Sequence, residues 1–158
     1  MRQHLPRTRS CFVCGQANPI GLNLDFETDG REVTAPFRPR PEHIGFANTV
    51  HGGLVSTVLD EAMVWACGVA AHQFAYCAEL TVRFRQPVRP GSDLRLSGVL
   101  TENRRGRLLL ARAELRDASG QVLATATGKY IPIPHETVEG MLDDFVGDIR
   151  RLLKPAGP

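Results

Sequence analysis

Gly52, Gly53 and Asp60 are the residues whose types and spacing best suit chemistry in this 158-residue chain. They lie in an apolar stretch, His51 to Ala71, that has the periodicity of one long helix. The first backbone N–H groups of a helix have no partner within it and sit at the positive end of its dipole. A glycine there carries no Cβ, so a carbonyl oxygen can approach the N–H and be polarised by it, at a few kcal/mol per donor. Two glycines would equally serve a chain that simply enters a crowded helix. Asp60 is a candidate general base or nucleophile. At about 100° per residue, Leu54, Val55, Val58, Leu59, Ala62, Met63, Trp65, Ala66, Val69 and Ala70 share one side. Gly53, Ser56, Thr57, Asp60, Val64, Cys67 and Gly68 share the other. Asp60 is therefore near the centre of a narrow face of small residues, as a pocket wall would be. Glu61 falls on the edge between the faces. It is the runner-up carboxylate of the candidate site and better suits an ion pair at the face boundary. Eight residues of helix rise about 12 Å. Gly52 and Asp60 of one chain are too far apart to act on one carbonyl. Two antiparallel copies of the helix would set Asp60 of one chain beside Gly52 of the other.

The elements around this helix follow from alternation and turn residues. Residues 1–10 read as a loose tail. Cys11 to Gly15 and Asn18 to Leu22 are turn-rich. Leu22 to Phe26 alternates as a strand, Asp29-Gly30 marks a hairpin, and Arg31 to Phe37 is a second strand. Asn48 or Thr49 suits the helix N-cap. Ala75 to Arg85, Asp93 to Thr101, Leu108 to Arg116 and Gln121 to Ile133 are strands joined by short turns, which implies an antiparallel sheet. Val138, Met141, Leu142, Phe145, Ile149, Leu152 and Leu153 keep helical spacing and predict a C-terminal amphipathic helix over 135–154. The fold class is α+β, in one domain over 1–158.

Bulk properties narrow the function. A composition of 42% hydrophobic and 23% charged residues is that of a soluble globule. A net charge of +2 gives no argument for nucleic acid as a partner. No unbroken apolar run reaches the roughly 18 residues of a membrane span, so no membrane partner is expected. The basic N-terminus lacks the apolar core of a signal peptide. Four cysteines, with only Cys11 and Cys14 close together, are not a secreted disulfide framework, and a cytoplasmic location is expected.

Three motifs carry a family likeness: Cys11-x-x-Cys14-Gly15-x-x-Asn18-Pro19-x-Gly21-Leu22, then His51-Gly52-Gly53 followed by Asp60, then Ala78-Glu79-Leu80-x-Val82-x-Phe84-x-x-Pro87-Val88-x-Pro90-Gly91. In these, over roughly residues 11–133, the sequence resembles the hotdog-fold acyl-CoA thioesterases, in the branch typified by the phenylacetate-pathway enzymes. The resemblance implies a long central helix wrapped by a curved antiparallel sheet of five or six strands. It implies a homodimer, or a dimer of dimers, with the active site at the dimer interface. The implied activity is hydrolysis of a small aromatic or short- to medium-chain acyl-CoA to free acid and CoA, with no cofactor. A non-catalytic acyl-CoA binding protein and a hydratase or dehydratase of the same fold are the alternatives.

The resemblance also distributes roles. Gly52 is the oxyanion donor, Asp60 the base or nucleophile, and His51 shapes the helix start. Gly53, Asn48 and Cys77 are assigned to substrate binding; Cys77 stands where relatives often have Ser or Thr. Gly45 replaces the polar residue that some relatives carry six positions before the histidine. Arg83, Arg85, Arg89, Arg104, Arg105 and Arg107 are the cations a CoA phosphate could use, and the turn holding Arg104, Arg105 and Arg107 is the densest cluster. Trp65, Met63 and Phe74 could line an acyl pocket or merely pack. His43 and His72 read as loop and surface residues. Cys11 and Cys14 invite a zinc reading, but no further ligands follow them in sequence. The expected role is packing, with no metal.

Overall fold

Helix α1 spans Gly52–Ala71. Its N-cap is neither Asn48 nor Thr49 but His51, whose Nδ1 accepts from the Gly53 N–H at 2.9 Å. The imidazole does what a Ser or Asp side chain usually does at this position. Asn48 instead turns a small hairpin between Ile44–Phe46 and Thr49–Val50, with φ at 58°. The helix stops at His72, which takes a left-handed φ of 55°. Val58, Leu59, Ala62, Met63, Ala66 and Cys67 are completely buried. Burying each larger apolar side chain contributes roughly 1.5–3 kcal/mol. By length and composition α1 could cross a bilayer, yet 61% of it is buried inside the protein.

The computed structural model describes residues 1–153. Around α1 runs one sheet made of β1 (Gln3–His4), β2 (Glu27–Thr28), β3 (Glu32–Phe37), β4 (Ala75–Phe84), β5 (Leu94–Arg104), β6 (Leu108–Asp117) and β7 (Val122–Pro132). Its order is β1-β2-β3-β5-β6-β7-β4, antiparallel throughout. The helix lies closest to β5. A Cβ on Gly98 would meet the Ala62 carbonyl oxygen at 2.6 Å. The predicted four-strand run after the helix is present, and its β4 forms one outer edge of the sheet.

Both chain ends depart from the sequence-based expectation. Residues 1–10 are held rather than loose: β1 pairs with β2, Leu5 is buried, and Arg7–Thr8 pairs with Phe145–Val146. Leu22 to Phe26 keeps its alternating burial but is no ladder strand. Asn23 takes φ 56°, and Leu22 and Leu24 bond to Phe12 and Val13 instead. The predicted C-terminal helix breaks into α2 (His135–Glu139), a 3-10 turn at Leu142–Asp144, the short strand Phe145–Val146 and a second 3-10 turn at Ile149–Leu152; Lys154 lies outside the described residues. Gly140 and Gly147 interrupt the periodicity. Tertiary packing then decides, because Phe145 joins an aromatic cluster. Its ring stacks on Phe74 at 5.6 Å and meets Trp65 edge-on at 6.4 Å, while Phe26 approaches Trp65 from the N-terminal side at 6.4 Å. Trp65, Met63 and Phe74 are therefore packing residues.

Candidate active site

The first turn of α1 has almost all its polar groups engaged. Ser56 Oγ donates to the Gly52 carbonyl at 2.9 Å, and Thr57 Oγ1 donates to that of Gly53 at 2.8 Å. The Gly53 N–H is taken by His51. Leu54 and Val55 donate to the His51 carbonyl at 2.9 and 3.2 Å. Among the described residues the Gly52 N–H has no partner. So one free donor remains, at the glycine that the sequence singled out, and Gly53 serves the cap rather than a substrate.

That donor opens on a cavity of about 420 Å³, lined by Gly52, Phe46, Val50, Val55, Phe84 and Val88, with Arg85 and Gln86 at one side. The lining is mainly apolar. Phe46 and Phe84 are 84% and 57% exposed, which is unusual for phenylalanines unless something covers them.

Asp60 is half-buried further along the same helix and does not line this cavity. Its partner was not anticipated: Tyr130 Oη donates to Asp60 Oδ1 at 2.7 Å. Tyr130 is wholly buried at the end of β7. Gly128, two residues earlier, makes room for it, since a Cβ there would lie 2.5 Å from the tyrosine ring. A bulge in β4 at Ala78 shifts the register from Lys129↔Glu79 to Tyr130↔Cys77, bringing Cys77 beside the pair. Burial, then the charge of Asp60, pushes the Tyr130 phenol well above its ordinary range, so it remains a donor. The same two causes raise the Cys77 thiol, which stays protonated at neutral pH. One oxygen of Asp60 is thus held by Tyr130. A Gly-x-Tyr pair on one strand face was the only sequence signal for it.

Other candidates fall elsewhere. Asn48 is exposed at the hairpin turn and absent from the cavity lining. Arg104 pairs with Glu102 at 2.8 Å, and Arg105 takes φ 54° to form the turn. That turn meets Gln73 just past the C-terminal end of α1, so within one chain Arg85 is the cation at the cavity. His43 is buried, contrary to the surface reading, and its Nδ1 accepts from the Arg40 N–H at 3.0 Å. Glu61 turns away from Asp60. It makes no ion pair among the described residues and lies 3.6 Å from Cys11 Sγ, with the Trp65 indole N–H on the same oxygen at 3.2 Å. Burial first, then the Cys11 charge, pushes its carboxyl up to about 8.

A long helix wrapped by a curved antiparallel sheet, with a free glycine N–H at its start and a carboxylate in its middle, is the hotdog architecture. Residues 47–124 match the model of the thioesterase superfamily, and the chain belongs to that superfamily. The crystal structure of a thioesterase superfamily protein superposes with a TM-score of 0.71 at 25% identity, over 78% of this chain and 60% of that one. The alignment thus spans under two thirds of that relative's length. The Escherichia coli PaaI protein of the phenylacetic acid degradation operon gives 0.65 at 18% identity, covering 72% of this chain and 81% of its own. A Streptococcus mutans protein bound to acetyl-CoA gives 0.63 at 15% identity, over 75% and 94%. Among proteins of curated function none matches the sequence.

Proposed function

We propose that the protein hydrolyses an acyl-CoA thioester at sites shared between two copies of the chain. The observation that carries this reading is the Gly52 N–H, left without a partner among the described residues beside an apolar cavity while the backbone N–H groups on either side of it are engaged. The thioester carbonyl oxygen would accept from it, and negative charge developing there would be stabilised by the helix start. Asp60 of the partner subunit, fixed through one oxygen by its tyrosine, would use the other to take a proton from water or to attack the carbonyl. In the first route the resulting hydroxide adds to the carbonyl carbon, the C–S bond breaks and the CoA sulfur leaves with a proton. In the second, a mixed anhydride forms and water cleaves it.

Three features support the shared site. Gly52 and Asp60 are separated by about 12 Å of helix. Strand β4 is long and its outer edge is unpaired among the described residues, with Tyr76 and Phe84 both more than half exposed. The cavity's open Phe46 and Phe84 await a cover. Its size and apolar lining suit a small aromatic or short- to medium-chain acyl group. That a protein of this fold holds acetyl-CoA agrees with a CoA ester as ligand. Within one chain the groups beside Asp60 are Tyr130 and Cys77.

The test is thiol release over a panel of aromatic and aliphatic acyl-CoAs, for the wild type and Asp60→Asn. Turnover should fall by a factor of about 10² or more in the variant, with acyl-CoA binding retained. Normal turnover in Asp60→Asn would remove the carboxylate from the mechanism. Binding without thiol release by the wild type would favour the non-catalytic alternative.

A further inference from the structure

The motif Cys11-Phe12-Val13-Cys14-Gly15 takes no part in the site above. Folding nevertheless gives it a third donor that sequence order concealed. Cys11 Sγ, Cys14 Sγ and a carboxylate oxygen of Glu61 all lie within 4.8 Å of one another, although Glu61 is 50 positions beyond Cys11. We propose that Cys11, Cys14 and Glu61 bind one divalent zinc-class cation, which clasps the N-terminal loop to the central helix.

Distances come first. With Zn–S near 2.3 Å and Zn–O near 2.0 Å, tetrahedral geometry puts ligand atoms roughly 3.5–3.8 Å apart. Cys11 Sγ and Glu61 Oε1 are already 3.6 Å apart. The 4.8 Å bound on the remaining pairs leaves a closure of at most about 1.3 Å, within reach of side-chain rotation.

The loop also holds its sulfurs in place. The Val13 N–H donates to Cys11 Sγ at 3.3 Å. Its backbone is fixed by bonds from Gly15 to the Cys11 carbonyl at 2.9 Å and from Leu22 and Leu24 to Phe12 and Val13 at 2.8 Å. Only glycine fits at position 15, because a Cβ would lie 2.2 Å from the Cys11 carbonyl oxygen. A cluster whose sole purpose was packing would need none of this.

The third donor faces the two sulfurs rather than a cation. Glu61 is half-buried, and among the described residues its Oε1 meets the Trp65 indole N–H and Cys11 Sγ and no basic side chain. Zinc bound by two thiolates is neutral overall, so it would hold the carboxylate through a direct zinc–oxygen bond rather than by cancelling its charge. Two sulfurs and one carboxylate oxygen select zinc over calcium or magnesium, which take oxygen ligands. The fourth position falls to water. The cysteines lie in the N-terminal loop and Glu61 on α1 next to Asp60, so the ion would tie that loop to the helix that carries the active site.

The experiment uses the full-length protein, purified under reducing conditions without chelator. Native mass spectrometry should find one zinc per chain. Exchange with cobalt should give the sulfur-to-metal charge-transfer absorption of a thiolate site. Zinc should raise the melting temperature of the metal-stripped wild type but not of Cys14→Ser. Glu61→Gln, nearly isosteric and expected to fold, should bind zinc at least tenfold more weakly in competition with a chromophoric chelator. That variant keeps the test decisive if the cysteine variants do not fold. The proposal is overturned if the reduced wild type takes up no zinc, if Cys11 and Cys14 prove to be joined as a disulfide, or if zinc binds equally to wild type and Glu61→Gln. These readouts do not depend on thioester hydrolysis.

Discussion

Gly52→Pro isolates the free N–H more cleanly than any change that removes a side chain. Gly52 is the first residue of α1, where a helix accepts proline because that N–H has no intrahelical partner. His51, with φ −58° and ψ 129°, already has the conformation required before proline. The substitution therefore deletes the proposed oxyanion donor and leaves the helix start intact. Removing one such donor costs about 10²–10³ in kcat. The added ring atoms would touch Phe84, since a Cβ at position 52 lies 3.3 Å from its Cζ. Gly52→Ala brings the same Cβ contact and keeps the N–H, so the ratio of the two variants cancels the Cβ and leaves the loss of the donor together with the ring carbon that replaces its hydrogen. In a thiol-release assay the proline variant should turn over at least tenfold more slowly than the alanine variant, with similar melting temperatures. Equal rates would refute the assignment of Gly52. The proline variant also tests the shared site. Refolded together with Asp60→Asn at equal amounts, half the dimers are mixed, and each mixed dimer holds one site with both groups intact. About a quarter of wild-type activity should return. No recovery in verified mixed dimers would place each site within a single chain.

Two further outcomes follow from neighbouring groups. Tyr130→Phe removes a hydrogen bond to a carboxylate, a contribution of about 1.5–3 kcal/mol, without changing the buried ring; kcat should fall about tenfold and the melting temperature by several degrees, and unchanged kcat would make Tyr130 a packing residue only. Burial first, then the charge of Arg40, holds His43 below its ordinary pKa, against a smaller upward pull from Glu42, so its stabilising effect is complete above about pH 6.5 and is lost as pH falls from there toward the lower folded value. His43→Asn should flatten the decline of melting temperature between about pH 7 and 5, and an unchanged slope would assign that decline to other groups.

The central helix and the strands after it were legible because one period dominates each. Residues 54–70 repeat at helical spacing, and Leu80, Val82 and Phe84 alternate. Gly52 and Asp60 stand out in the sequence because glycines open the helix and one carboxylate lies eight positions on, and the structure places both on α1. The partner of Asp60 was not, since Tyr130 is 70 positions away and meets it only once β7 closes against α1. Glu61 was misplaced for a related reason. Its position at the edge of the helix face allowed either neighbour, and the N-terminal loop that decides the matter carries no periodicity. The C-terminal segment shows periodicity misleading: its apolar spacing was helical, but Phe145 gained more from Trp65 and Phe74 than a continuous helix could offer.

Trp65 is the only tryptophan in the chain. Its indole is packed against Phe26 before the helix, Phe74 after it and Phe145 near the C-terminus, and its N–H rests on Glu61. The protein thus contains its own optical probe, at the one place where both chain ends meet the helix that carries Asp60. Its emission reports a single environment, so release of the C-terminal segment, which uncovers the ring, registers as a shift to longer wavelength. Displacement of the N-terminal loop removes nearby sulfur and with it a quencher. The docking of the two ends can be followed by fluorescence without attaching any label.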